Sequence, residues 1–366
     1  MKAATLNKFL SIFLLPLLNI VTAFIFTTLL FLIIGIDPWE AAQILVKGAF
    51  GYEEGIGYTL YYTTNFIFTG LAVAVAFHAG LFNIGGEGQA YIGGLGVTLV
   101  ALGLGTFLPP WLLLPLAILA AAIFGAAWAA IPAYLQAYRG SHIVITTIMF
   151  NFLAASLMVY LLVNIFSEPG QGMPASNAFS ESASLWTWQA LMAKFGIEFA
   201  SSPLNVSIIL ALICCAAVWV FLWKTRWGYE LRTVGANPDA AIYAGINPKR
   251  IVMLAMLISG ALAGFVAVNE LLGVQHRLVL GFNTGYGFAG IAVALMGRNH
   301  PIGVMMAALL FGALYQGGAE LAFEIPSVTR DVVVVIQGLI ILFSGALEFM
   351  YRAPLQRWLL RFAREN

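Results

Sequence analysis

The sequence predicts an all-α polytopic membrane protein with about ten transmembrane helices. Apolar residues make up 61% of the 366 positions and charged residues only 9%, whereas soluble domains carry about 25% charged residues. Apolar runs recur from Leu10 to Met350 and leave no block long enough to form a soluble domain. We therefore expect residues 1–366 to form a single transmembrane domain surrounded by a lipid bilayer.

The first apolar run, from about Leu10 to Ile34, is expected to be a membrane helix. Its length of about 25 residues exceeds the roughly 7–15 apolar residues of a secretory signal peptide, and no small-x-small cleavage site closes it. At about 1.5 Å per residue it reaches roughly 37 Å, enough to cross a hydrocarbon core of about 30 Å. Further apolar runs predict helices near residues 60–78, 87–107, 111–136, 143–165, 205–223, 250–272, 285–297, 302–322 and 331–350.

The distribution of basic residues predicts the orientation in the membrane. An even number of spans places both termini on one side. With cytoplasmic termini, thirteen of the 17 Lys and Arg residues fall on the cytoplasmic side, and the other four are Lys47, Lys194, Arg277 and Arg330. Cytoplasmic loops carry the excess of Lys and Arg, so we expect the N-terminus and the C-terminus in the cytoplasm.

Two loops are long. The extracytoplasmic loop, residues 166–204, is rich in Ser, Pro and Gly and contains Trp186 and Trp188. It fits either a short helix at the membrane interface or an untethered variable loop. The cytoplasmic loop, residues 224–250, holds five of the 17 basic residues.

The cytoplasmic loop contains the signals of a short, capped helix. Asn237 is a good N-cap residue, Pro238 suits the first helical position, and Asp239 complements the helix dipole. Gly245 is placed to end this helix in the left-handed conformation, and Asn247 repeats the start signal. A preformed helix of about two turns on the cytoplasmic face is expected to dock a cytoplasmic component. The alternative is a loop that merely contains a turn.

Four stretches carry a resemblance to a known family. Asp239-Ala240-Ala241-x-x-x-Gly245 resembles the Glu-Ala-Ala-x-x-x-Gly core that permease subunits of ABC importers present to their ATPase, with Asp in place of Glu and without the Ile-x-Leu-Pro continuation. The others are Phe82-Asn83-Ile84-Gly85-Gly86-Glu87-Gly88-Gln89, Arg226-Trp227-Gly228-Tyr229-Glu230-Leu231-Arg232, and the segment Gly287 to Pro301. In this order and spacing they are similar to permeases of the nucleoside and simple-sugar ABC uptake family, over about residues 50–343.

The resemblance implies a permease subunit that forms a path for nucleosides, or related simple sugars, across a bacterial cytoplasmic (inner) membrane. Within the family the length and the long outer loop are most similar to the larger guanosine or purine-nucleoside permease. The implied partners are a separate ABC ATPase, a second permease in a heterodimer, and an extracytoplasmic substrate-binding lipoprotein. Coupling to the ATPase falls on Asn237, Pro238, Asp239, Ala240, Ala241 and Gly245.

The residues themselves exclude several other activities. No Gly-x-x-x-x-Gly-Lys-Ser/Thr segment occurs, so ATP is expected to bind to a partner, and no cofactor or metal to this chain. The four His residues are scattered and form no catalytic motif, so an enzyme is not expected. A net charge of +1 argues against nucleic-acid binding. Gly260-x-x-x-Gly264 is typical of closely packed membrane helices.

Polar residues within the apolar runs are candidates for a substrate pathway, because such residues are costly in hydrocarbon. The candidates are Asn83, Glu87, Gln89, Asn151, Asn269, Glu270, Asn283, Gln316 and Glu320. Amides outnumber acids and no Lys or Arg lies mid-helix, which favours a neutral polyhydroxy solute. Glu87 lies among glycines that allow a helix to break; its alternative role is a structural carboxylate that holds neighbouring backbone.

Two further hypotheses concern coupling and symmetry. An ion-coupled secondary transporter of a small neutral polar solute is the alternative function, with Glu270 and Glu320 as its ion site. Separately, Phe82-Asn83-x-Gly85 recurs as Phe282-Asn283-x-Gly285. An inverted repeat of helices 2–5 on helices 7–10 would produce this pattern.

Overall fold

The structure, a computed structural model, describes residues 15–167, 172, 174–283, 285–329, 332–339 and 342. Across these residues the regular elements are helices, and the only β contacts are two isolated bridges. The α-helices are α1 Leu15–Ile34, α2 Pro38–Phe50, α3 Glu53–His78, α4 Gly86–Leu104, α5 Pro110–Arg139, α6 Ile143–Leu161, α7 Trp188–Ala193, α8 Ser207–Lys224, α9 Arg226–Ala236, α10 Pro238–Tyr243, α11 Pro248–Gly264, α12 Tyr286–Met296 and α13 Pro301–Glu324. Leu162–Phe166 and Val268–Gln275 continue α6 and α11 as π-helical turns.

The chain divides into two compact units, residues 56–312 and residues 1–55 with 313–366. In the larger unit the core includes Leu113, Met158 and Leu271, all fully buried. In the smaller unit Phe31 and Ile44 pack with Leu321, and the chain bends by 114° between α1 and α2. The single domain expected from the sequence stays a prediction.

Six of the described helices are long and apolar enough to cross a membrane: α3, α5, α6, α8, α11 and α13, with α6 and α11 counted through their π turns. The bent pair α1 and α2 raises this number to seven if it counts as one span. The protein is therefore a polytopic helical membrane protein. The count of ten stays a prediction, because α12 has only 11 residues and the helix near 331–350 lies largely outside the described residues, as do both termini.

The sequence-based boundaries missed two helices. Asp37 caps the start of α2, and its side chain accepts the Trp39 N–H at 2.8 Å. The helix α9 carries an Arg226–Glu230 ion pair. Both helices contain charged residues, so neither gives a long apolar run. Their start signals are local caps, which a search for membrane spans does not detect.

The packing of α5 against α11 depends on glycines. A Cβ atom on Gly125 would collide with the carbonyl oxygen of Gly260, and a Cβ on Gly264 would collide with that of Ala121. The backbones of the two helices therefore touch directly, which confirms the close approach predicted from Gly260-x-x-x-Gly264.

The described part of the long loop, residues 166–204, is tethered to the π-helical segment that ends α11. The Leu185 N–H donates to the Leu272 carbonyl at 2.8 Å, and the Phe179 N–H donates to the His276 carbonyl at 2.7 Å. The short helix α7 forms within this loop with Thr187 as its N-cap. The alternative of an untethered loop is therefore wrong for the described residues, because Phe179 and Leu185 donate backbone hydrogen bonds to the segment that follows α11.

We expect Gly125→Ala to destabilise the protein by about 1–3 kcal/mol, because the added methyl group has no space between α5 and α11. Gly103→Ala, in the last turn of α4 where nothing lies within 4 Å, is the matched control. It should be neutral or stabilising by up to about 1 kcal/mol, since alanine favours a helix over glycine. Thermal unfolding of the two variants in detergent measures the difference, and equal melting temperatures would contradict the packing.

Candidate functional site

Two breaks in the helical chain face each other in the larger unit. Residues 79–85 separate α3 from α4, and the described residues 276–283 and 285 lie between the π turns of α11 and α12. The first turns of α4 and α12 are in contact, because a Cβ atom on Gly86 would lie 3.4 Å from the Cα atom of Gly287. We call this meeting point the half-helix junction.

Glu87 joins the two sides of the half-helix junction. Its side chain leaves the first turn of α4, and its two carboxylate oxygens accept the N–H groups of Gly285 and Gly287, each at 2.9 Å. Its own backbone carbonyl accepts the Asn283 side-chain amide at 2.9 Å. These N–H groups are among those that have no partner inside α12, so Glu87 caps α12 from another helix.

Amide side chains complete the junction on the side of α4. The Asn83 amide nitrogen donates to Gln89 at 3.0 Å and to Ser259 at 2.8 Å, and its oxygen accepts the Gly85 N–H at 2.8 Å. Asn151 of α6 accepts the Gly88 N–H and donates to the Ile84 carbonyl, both at 2.9 Å. Five of the nine candidates thus come together at this point.

Glu270 forms the centre of a second polar group, which we call the Glu270 cluster. One of its carboxylate oxygens accepts the Tyr61 hydroxyl and the Asn65 amide, both at 2.6 Å. Tyr286, the first residue of α12, makes a further side-chain hydrogen bond to this carboxylate. The Glu270 cluster therefore connects α3 and the end of α11 to the helix that Glu87 caps.

Asn269 adds four hydrogen bonds beside this cluster. Its oxygen accepts the Asn205 amide at 2.9 Å and the Ser207 hydroxyl at 2.8 Å. Its nitrogen donates to the Tyr61 carbonyl at 3.2 Å and to the Asn65 side chain at 2.9 Å. An amide offers two donors and two acceptor lone pairs, so all of its bonds are used inside the protein.

The remaining two candidates, Gln316 and Glu320, lie in the smaller unit. The Tyr52 hydroxyl donates to Glu320 at 2.8 Å and also contacts Gln316. Burial and the neighbouring Glu320 carboxylate raise the pKa of Tyr52, so the phenol keeps its proton and donates it to this bond.

Exposure separates Glu87 from the other residues of the half-helix junction. Asn83, Gln89 and Asn283 are at most 1% exposed, whereas Glu87 is only partly buried. The Asn283 side-chain oxygen is the one buried polar atom of these residues without a hydrogen-bond partner. The half-helix junction thus contains one partly exposed acidic residue beside polar side chains that are largely hydrogen-bonded within the protein.

The loop of residues 224–250 forms the short helix that its sequence predicts. The Asn237 side-chain oxygen accepts the N–H groups of Asp239 and Ala240, both at 3.0 Å. α10 ends at Tyr243, and Gly245 follows with a positive φ of 77°. Ile242 and Tyr243 are 58% and 94% exposed, so the end of this helix presents two large side chains outside the fold.

Comparison with known proteins decides the class of this arrangement. The profile of the family described as "Branched-chain amino acid transport system / permease component" matches residues 55–345. The chain belongs to this permease family. The matched region contains the half-helix junction, the Glu270 cluster and α10.

Individual relatives agree with this assignment over nearly the whole permease. The chain is 37% identical to the guanosine ABC transporter permease protein of Bacillus subtilis, over 94% of this chain and 97% of the relative. It is 34% identical to the nucleoside permease protein of Lactococcus lactis (94% and 93%) and 34% identical to the glucose permease protein of Haloferax volcanii (92% and 88%). The resemblance read from the four stretches is confirmed: the protein is a permease subunit of an ABC transport system.

Several residues of these sites were not among the sequence candidates. Tyr61 and Ser259 each join one polar group, and Tyr52 holds Glu320. Tyr61 lies four residues before Asn65, so both are on one face of α3, which is a readable signal. Ser259 gives no such signal, because a single Ser in an apolar helix usually bonds within its own helix.

We expect Glu87→Ala to lower stability by about 2–5 kcal/mol, because two N–H groups of α12 lose their acceptors in a water-poor place. Glu230→Ala, which removes only an exposed i,i+4 ion pair with Arg226, should change stability by at most about 0.5 kcal/mol. Thermal unfolding in detergent compares the two. A Glu87→Ala protein with normal melting temperature but weaker solute transport would instead assign this carboxylate to the solute.

Proposed function

We propose that this permease imports nucleosides as one subunit of an ABC importer in a bacterial cytoplasmic membrane. Its partners are a separate ATPase that binds the ATP, a second permease in a heterodimer, and an extracytoplasmic binding lipoprotein. The chain itself binds no cofactor. The guanosine and nucleoside relatives support this substrate class, and the glucose relative makes simple sugars the second class to test.

The observation that carries the coupling role is the geometry of α10. Asn237 caps its start and Gly245 ends it, so the helix keeps its shape without support from a partner. Its two large exposed side chains are suited to insertion in a partner's groove, since interfaces are enriched in aromatic anchors. Asn237, Pro238, Asp239, Ala240, Ala241 and Gly245 together form the proposed ATPase-coupling segment.

The orientation that we propose places α10 in the cytoplasm. Arg139, Lys224 and Arg298 lie at the ends of α5, α8 and α12, and Lys249 lies at the start of α11. This arrangement fits the excess of basic residues expected on the cytoplasmic side. We further propose ten spans with both termini in the cytoplasm. An inverted repeat of the second to fifth predicted spans on the seventh to tenth completes the proposal. The recurrence of Phe-Asn-x-Gly before α4 and α12, whose first turns are in contact, supports the repeat.

The proposed solute path passes the half-helix junction. Broken helices near the membrane midplane are typical of transporter binding sites, because their ends offer unpaired backbone groups. The nine polar candidates remain the proposed pathway residues, and Glu87 is the one partly open to a solute at the junction. Glu270 and Glu320 both accept hydrogen bonds from tyrosines, which favours structural roles over the ion site of a secondary transporter.

Gly245→Val is expected to abolish ATP-driven uptake while the permease still reaches the membrane. A β-branched residue is strained at a φ of 77°. The end of α10 therefore shifts, and the contact of α10 with the ATPase is lost. Gly140→Val is the matched control: Gly140 ends α5 with a φ of 70°, and nothing lies within 4 Å of either glycine. Both variants carry the same strain of about 1–2 kcal/mol, but only one alters α10.

The measurement is uptake of radiolabelled guanosine, and separately of glucose, into proteoliposomes that contain the permeases, the ATPase and the binding lipoprotein. Normal guanosine uptake by Gly245→Val would contradict the docking role. Uptake of glucose but not of guanosine by the wild-type complex would contradict the substrate class. Uptake that ignores ATP and responds to uncouplers would favour the secondary transporter.

A further inference from the structure

His78, the last residue of α3, holds the far end of α12. Its Nε2 lies 3.0 Å from the carbonyl oxygen of Asn299, and it must donate because a carbonyl oxygen only accepts. The Asn299 N–H in turn donates to the Ala294 carbonyl at 2.8 Å and closes the C-terminal turn of α12. His78 is thus bonded to a residue in the turn that follows this helix.

A tryptophan fixes the position of the His78 ring. Trp223, near the end of α8, stands edge-on to His78 with ring centroids 5.4 Å apart. The Trp223 ring also contacts the ring of His300, with centroids 4.9 Å apart. His300 lies in the turn between α12 and α13. We call His78, Trp223 and His300 the His–Trp–His stack.

The last turn of α9, the helix before α10, is in direct contact with the backbone at His78. A Cβ atom on Gly235, in the last turn of α9, would collide with the His78 carbonyl oxygen and lie 2.9 Å from the Gly80 nitrogen. Only a bare backbone fits this contact, so a displacement of α9 cannot be absorbed by a side chain that changes its rotamer.

No flexible linker separates α9 from α10. Asn237 ends α9, where its N–H donates to the Thr233 carbonyl at 3.0 Å, and it begins α10 with its side chain. A residue that caps both helices leaves little freedom between them. Movement of α10 therefore moves the last turn of α9 and Gly235 with it.

The two ends of α12 are held by residues that flank one short segment. Glu87 binds its first turn and His78 binds the turn that ends it. α12 has 11 residues, or roughly 16 Å of helix at about 1.5 Å per residue. The segment from residue 78 to residue 87 therefore runs the length of α12 and connects its two attachment points.

We propose that His78 is a positioning residue that transmits the movement of α10 to α12, and through α12 to the half-helix junction. The path runs from α10 through Asn237 and α9 to the contact of Gly235 with His78, and then through the hydrogen bond to Asn299. This inference rests on the proposed docking of the ATPase on α10. It adds the element inside the permease on which the ATPase acts.

The experiment compares His78→Leu with His78→Gln in the reconstituted complex of both permeases, ATPase and binding lipoprotein. Glutamine keeps an N–H that reaches the Asn299 carbonyl, and leucine does not. His142→Leu is the control, because His142 is an exposed histidine at the start of α6 without a side-chain cap bond. The readouts are guanosine uptake, ATP hydrolysis and the amount of assembled complex.

We expect His78→Leu to lower the guanosine imported per ATP hydrolysed by roughly tenfold, with assembly and ATP hydrolysis retained, a size typical of residues along a coupling route. His78→Gln and His142→Leu should stay within about twofold of the wild type. A purely structural role would lower assembly and leave the ratio of uptake to hydrolysis unchanged.

Normal uptake per ATP in His78→Leu, or equal loss in His78→Gln, would overturn the proposal. If His78→Leu does not assemble, Trp223→Leu decides, with Trp223→Phe as the variant that keeps a ring in the His–Trp–His stack. A wild-type complex that hydrolyses ATP without importing guanosine would refute the proposed substrate and leave the transmission route to be read from the transported solute. If Gly245→Val imports normally while His78→Leu is uncoupled, the docking on α10 fails and this route with it.

Discussion

The fold of the larger unit depends on one carboxylate that stands between two helix starts. Each helix N-terminus carries about half a positive charge, and α4 and α12 bring two of them together at the half-helix junction. Without compensation the two ends would repel each other in a medium of low polarity. Glu87 supplies a carboxylate to this pair of ends, and its two oxygens accept N–H groups of α12. It therefore allows short helices to begin inside a membrane domain, where unpaired backbone groups are costly.

What the sequence predicted well was local. The glycines around Glu87 predicted a break in the helix, and Asn237 with Pro238 predicted a capped helix. Both features are determined by residues within a few positions of one another. The partners of Glu87 were not predictable in the same way. Gly285 and Gly287 lie some two hundred positions along the chain, and only the tertiary fold shows that a carboxylate in one break caps the helix after the other. The repeated Phe-Asn-x-Gly segments indicated that the two breaks are related. They did not predict that the breaks are in contact.

The polar candidates show why composition alone overstates a solute path. An Asn in an apolar run has the same letter whether it meets a solute or another helix, and its role is fixed by what faces it. Asn269 uses all four of its bonds on residues from two other parts of the chain, and the Asn83 amide also makes four hydrogen bonds. Such networks are stabilising only when every member is satisfied, so a solute that binds one of these amides must replace a hydrogen bond made inside the protein. Among the candidates at the half-helix junction, Glu87 is the charged one with remaining exposure.

The mechanical character of the permease follows from where its helices are joined without loops. Thr225 ends α8 and begins α9, just as Asn237 ends α9 and begins α10. These three helices therefore follow one another without a flexible linker. Two packed helices respond to a push as rigid bodies, because interiors at crystal-like density do not deform continuously. The residues able to change direction are those between the helices, 79–85, 276–283 and 285, where the chain leaves the regular helices. In the proposed route a force applied at α10 becomes a movement of α12 between its two attachment points, and the proposed solute path changes at the breaks, where the chain is not helical.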